Sequence, residues 1–86
     1  MKLTKSPQLI ADTRCHVGES PVWHPDLKVL LFLDITAGKV YAYDPSSAEC
    51  RLSSQGPVTG GMTLQADGTL LLFQAGRISV LGLDGT

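Results

Sequence analysis

Neither sign of charge dominates this chain of 86 residues: seven Lys and Arg stand against eight Asp and Glu, a formal net charge of −1. A sequence-independent nucleic-acid binder needs a concentrated basic face, and a polybasic membrane anchor needs a cationic cluster, so both classes are disfavoured. No run approaches the roughly 18 apolar residues that span a bilayer. The longest, Val29–Leu33, is five residues. The opening Met1-Lys2-Leu3-Thr4-Lys5 has no apolar centre of the kind a signal peptide carries, and Ser6-Pro7 follows at once. The expectation is a cytoplasmic protein in which Cys15 and Cys50 stay reduced as half-buried thiols. Lacking C-x-x-C spacing, they make no metal site of their own. Disorder is excluded as well, because 43% of the residues are hydrophobic and 17% charged.

Long helices are absent too. Nine Gly and five Pro occupy 14 of the 86 positions, a density that suits tight turns. The one sizeable apolar segment free of both, Asp26–Ala37, is apolar almost continuously through Leu27, Val29–Leu33 and Ile35, so a helix there has no polar face. A short continuous run between turn residues is better read as a buried strand. Lys39-Val40-Tyr41-Ala42-Tyr43-Asp44 is rich in β-formers and lies between Gly38 and Pro45. Leu70–Phe73 follows an Asp67-Gly68 hairpin signal, and Ile78–Leu83 follows Gly76.

The two halves of the chain match. Trp23-His24-Pro25-Asp26, Val29–Phe32, Gly38-Lys39-Val40 and Tyr43-Asp44-Pro45 form one series. Leu64-Gln65-Ala66-Asp67, Leu70–Phe73, Gly76-Arg77-Ile78 and Leu83-Asp84-Gly85 form the other. The offset is 41 at Asp26/Asp67 and Phe32/Phe73, 38 at Gly38/Gly76 and 40 at Asp44/Asp84. A period near 40 that changes only at turns is the length of a four-stranded propeller blade. The expectation is an all-β chain: an N-terminal strand over about 8–15, a first blade over 16–55 and an incomplete second blade over 56–86.

Two blades leave an apolar face bare on each side, together with unpaired edges, whereas propellers close with four to eight blades. The sequence therefore reads as the front portion of a longer protein. The alternative is a short β-domain that associates with a second copy of itself.

Arg14-Cys15-His16-Val17-Gly18-Glu19-Ser20-Pro21-Val22-Trp23 is the densest candidate for chemistry. Glu19 opens the first strand of the first repeat, which in a propeller is innermost and enters at the central channel. A carboxylate there is a hard oxygen ligand for a divalent cation. An exposed turn glutamate is the plainer alternative.

Gly18-Glu19-Ser20-Pro21-Val22-Trp23 resembles the Gly-Glu-(Gly/Ser)-Pro-x-Trp motif that opens the SMP-30/gluconolactonase/LRE-like (regucalcin-like) family. Leu31-Phe32-Leu33-Asp34-Ile35 resembles that family's apolar-Trp-Val-Asp-Ile strand, with Phe32 in place of Trp. Gly38-Lys39-Val40, Tyr43-Asp44-Pro45 and Gly60-Gly61-Met62-Thr63-Leu64-Gln65 follow in the family's order. The resemblance implies the first two or so blades of a six-bladed β-propeller. It also implies one divalent cation (Ca, Zn, Mg or Mn) in the channel, Glu19 as the first metal-ligating carboxylate, and hydrolysis of sugar lactones. The family's other ligands, an Asn and an Asp, and its Arg-x-Asn substrate motif come from later blades, so this chain alone is expected to be inactive. A non-catalytic calcium-binding or scaffolding relative is the other function in view.

Other positions carry weaker signals. His16 and Glu19 are three apart on an extended segment and point to opposite faces, which disfavours a ligand pair. His24 is expected in a surface turn before Pro25-Asp26. Asp34 is expected to bond backbone N–H groups of the turn that follows it. Gly60-Gly61 is no phosphate loop, since the closing Gly-Lys-Ser/Thr is missing.

Overall fold

The computed structural model describes residues 7–83. Among the described residues, seven strands form two antiparallel sheets. The first takes β1 (Gly18–His24), β2 (Val29–Asp34), β3 (Lys39–Asp44) and β4 (Glu49–Gln55) in chain order. The second takes β5 (Thr59–Leu64), β6 (Leu70–Gln74) and β7 (Arg77–Leu81), again in chain order. Among the described residues no helix is long and apolar enough to cross a membrane. The all-β expectation is met, and the two sheets have the meander topology of consecutive propeller blades. The Asp84-Gly85 turn expected to end the second repeat lies outside the described residues.

Strand pairing refines the internal repeat. His24 faces Val29 and Leu64 faces Leu70, so His24 and Leu64 hold the same place in their sheets, 40 residues apart. Val29 and Leu70 are 41 apart, because the loop 65–69 has one residue more than the turn 25–28. The next hairpin shortens instead, from the turn 35–38 to Ala75-Gly76. Each change of offset falls in a turn, where a residue is added without moving side chains to the wrong face of a strand.

The turns share a backbone feature. Three four-residue turns each place their last residue at positive φ: Lys28 at 55°, Gly38 at 62° and Ala48 at 58°. That left-handed conformation costs a residue with a Cβ roughly 1–2 kcal/mol. Gly38 has a second reason to lack a side chain. A Cβ there would run into the carbonyl oxygens of Gly56 and Pro57, and the Gly56 N–H donates to the Gly38 carbonyl at 2.9 Å.

One apolar layer lies between the sheets. Val29, Leu31, Leu33, Val40 and Ala42 from the first pack with Met62, Leu70 and Leu72 from the second. Residues directly opposite across a ladder share a face. Val22, Leu31 and Ala42 therefore form one row of the inner face, as do Met62 and Leu72 on the facing sheet. The reverse faces are apolar as well. Trp23, Leu30, Phe32, Tyr41 and Leu52 cover one, with the Phe32 and Tyr41 rings stacked at 5.3 Å. Phe73, Ile78 and Val80 cover the other and are 44%, 63% and 62% exposed. The first strands of the two sheets adjoin, with β5 packed against β1 and β2.

One expectation is corrected. Residues 8–15 form no strand. A strand exists only beside a partner, and none of the described strands runs alongside this segment, so its backbone joins no ladder.

Candidate functional site

Glu19 is the second residue of β1 and is exposed. The pairing with β2 runs Glu19↔Leu33 and then Val22↔Leu31, so Ser20 and Pro21 together oppose the single residue Phe32. This is a β-bulge, in which one strand carries an extra residue and bends. Ser20 takes a φ of 55° within it. Pro21 is compatible with this place because a bulge frees it from a ladder hydrogen bond it cannot donate. The Ser-Pro pair inside a strand was the available signal for the bulge, and sequence reasoning did not use it. Its effect is to re-aim the start of β1, where Glu19 lies. The second sheet has a bulge at the matching place: Thr59 faces Gln74 and Gly61 faces Phe73, leaving Gly60 unpaired.

A shallow, open depression beside Glu19 is lined by Thr13, Cys15, Pro21, Leu30 and Phe32. The Cys15 thiol lies 3.1 Å from the Thr13 hydroxyl. Cys15 is half-buried, whereas Cys50 on β4 is exposed, and both are free thiols. Partial desolvation by its neighbours pushes the Cys50 thiol above its ordinary value even though the residue is exposed, and Cys15 adds to the shift. It therefore stays protonated and a poor nucleophile near neutral pH.

Asp34 is buried at the end of β2 and reaches back instead of forward. Its Oδ1 accepts the Val17 N–H at 3.1 Å and its Oδ2 the His16 N–H at 3.3 Å. The expectation that it bonds the following turn is thus corrected: the β1–β2 register sets Asp34 opposite Gly18, which brings the approach to β1 within its reach. His16 itself is exposed and is joined to this corner through its backbone.

His24 differs most from its expectation. It is 3% exposed and lies at the far end of β1 from Glu19. At about 3.3 Å per residue that is roughly 16 Å away. The Leu27 N–H donates to Nδ1 at 3.2 Å, so that nitrogen accepts and Nε2 carries the proton. Nε2 donates in turn to the Gly68 carbonyl at 2.9 Å. The surface-turn expectation fails because Val22 and His24 are two apart on one strand and share its inward face.

The residues do not form a complete metal centre. Ca²⁺ takes 6–8 oxygen ligands and a structural Zn²⁺ four donors. Among the described residues no three His, Cys, Asp or Glu side chains come together to hold an ion. Glu19 supplies chemistry suited to a hard cation, but only one ligand group.

The sequence matches the SMP-30/Gluconolactonase/LRE-like region over residues 17–86. It is 43% identical over 70 residues to pentonolactonase XacC of Haloferax volcanii, covering 80% of this chain and 24% of that protein. It is 37% identical over 65 residues to regucalcin of Xenopus laevis, covering 76% of this chain and 22% of the relative. Regucalcin of Bos taurus is 42% identical over 55 residues, which is 63% of this chain and 18% of the relative. The chain thus spans about a quarter or less of the length of these relatives. With the ordered motifs lying on two consecutive antiparallel sheets, the chain belongs to the SMP-30/gluconolactonase/LRE-like family.

Proposed function

We propose that these residues form the first blades of a six-bladed propeller that hydrolyses a sugar lactone with the help of one divalent cation. The observation that carries this reading is the 43% identity to a pentonolactonase across 80% of the chain. Glu19 is one ligand of the cation. Its place supports the role: an exposed carboxylate at the start of the strand that adjoins the neighbouring sheet, set by a bulge of the kind found beside active sites.

Lactone hydrolysis adds water to an ester carbonyl and opens the ring. A bound cation supplies Lewis acidity toward that carbonyl. The part assigned to this chain is narrower. The Glu19 carboxylate holds charge at the channel mouth, and no proton transfer is assigned to it. The remaining ligands and the substrate contacts are proposed to lie in the part of the relatives' length that this chain does not span. On its own the chain is expected to show no turnover.

Glu19→Gln tests the assignment with little change of shape. In the full-length protein, calorimetric titration with Ca²⁺ or Mn²⁺ should show affinity reduced on the order of tenfold or more. Unchanged affinity removes Glu19 from the ligand set.

A further inference from the structure

Resting on the reading of Glu19 as a ligand, we propose that Asp34 is the positioning residue that fixes the approach to Glu19 and ties it to the junction with the second sheet. One backbone group ahead of Glu19 does not make its regular bond. Gly18 pairs with Asp34, so in the same register Val17 lies opposite Ile35. Such an antiparallel pair exchanges two hydrogen bonds. One is made: the Ile35 N–H donates to the Val17 carbonyl at 3.0 Å. The other is replaced, because the Val17 N–H donates to Oδ1 of Asp34 instead of to the Ile35 carbonyl.

The Ile35 carbonyl is thereby released for other donors. It accepts the Gly38 N–H, which closes the turn after β2, and the Thr59 N–H, which opens β5, both at 3.2 Å. Thr59 is 1% exposed and occupies in the second sheet the register position that Glu19 occupies in the first. One carboxylate therefore does two things. It holds the His16 and Val17 amides ahead of Glu19, and it leaves free the carbonyl through which the first sheet grips the equivalent strand of the second. A carboxylate suits this place because it accepts at both oxygens, and charged acceptors hold N–H donors more strongly than neutral ones.

Asp34→Asn has nearly the same shape but only one accepting oxygen. Amide hydrogen exchange followed by NMR on the full chain reads the result. The His16 and Val17 amides should exchange at least about tenfold faster in the variant. The Thr59 amide should follow, since the Val17 N–H then competes for the Ile35 carbonyl. Amides of the core residues Leu31 and Leu72 should keep their rates, showing that the fold persists. Unchanged rates at His16, Val17 and Thr59 overturn the proposal. A uniform rise that includes Leu31 and Leu72 also overturns it, by making Asp34 a general stabiliser. Cation titration of Glu19→Gln distinguishes the two readings: if that variant binds normally, the ligand assignment fails while the exchange result for Asp34 stands on its own.

Discussion

The Nε2–H of His24 donates across the sheet boundary to the carbonyl of Gly68, 44 residues further along the chain, while its Nδ1 accepts from Leu27. Only the neutral ring with its proton on Nε2 satisfies both partners. His24→Leu replaces the imidazole with an apolar side chain of similar bulk, the residue type that Leu64 supplies at the matching position. It leaves the Leu27 N–H and the Gly68 carbonyl without their partner. Urea unfolding should show a loss of about 1–3 kcal/mol. His24→Ala should lose more, because it also opens a cavity.

Gly38 and Gly76 share a left-handed backbone but not a neighbourhood. An added Cβ at Gly76 meets nothing, whereas at Gly38 it meets backbone from Gly56 and Pro57. Gly76→Ala should therefore cost only the conformational penalty, about 1–2 kcal/mol. Gly38→Ala should cost more than about 3 kcal/mol, since two backbone segments must separate. Thermal melts of the pair measure the difference directly, and equal losses would contradict the close approach.

Ser20 occupies the bulge beside Glu19 at a φ of 55°, and Ala48 a turn remote from it at 58°. Replacing either with Gly relieves the same backbone strain and should be neutral or stabilising by up to about 1 kcal/mol. Ser20→Val puts a β-branched side chain where it fits worst and should destabilise by at least about 1 kcal/mol. Denaturant midpoints of the three variants give the order.

Asp44 and Asp67 each accept from a hydroxyl two residues on, Ser46 at 2.7 Å and Thr69 at 2.6 Å, and from that residue's own N–H. The hydroxyl bond first, and the N–H second, hold both carboxyls below their ordinary value of 3.8. A lowered folded value means that each ionised turn contributes its stability above 3.8 and loses it as pH falls through the folded value. Carboxyl ¹³C shifts followed with pH should show both lowered. Ser46→Ala should return Asp44 toward the ordinary value and leave Asp67 where it was.

The outer faces that carry Trp23 and Leu52, and Phe73, Ile78 and Val80, are open in this chain. At moderate concentration the 9.2 kDa chain should elute as a larger, concentration-dependent species on size exclusion. Ile78→Lys together with Leu52→Lys should return it to the monomer position. A concentration-independent 9.2 kDa elution of the unaltered chain would count against association through these faces.

The strands were legible because apolar residues and turn residues repeat at a spacing only a blade explains, and the turns absorb every irregularity between repeats. Glu19, the ligand proposed above, was singled out by its place in a motif. His24 and Asp34 were not, and the reason is physical. Each is a polar residue whose partners are backbone groups, and backbone partners leave no mark on residue type. The inward alternation of Val22 and His24 was the one available hint for the imidazole. For Asp34 the sequence indicated the bonding capacity but not its direction, since β1–β2 register decides whether a carboxylate at a strand end reaches forward or back.

A layer with oily surfaces on both sides has no natural last member. Stacking another copy of the same kind covers one surface and presents a fresh one, so a straight pile never becomes soluble at its ends. Bending the pile until its end meets its beginning removes both ends at once. The two-sided greasiness of these sheets thus favours a ring over a rod, and it makes whatever lies at the hub a product of closure.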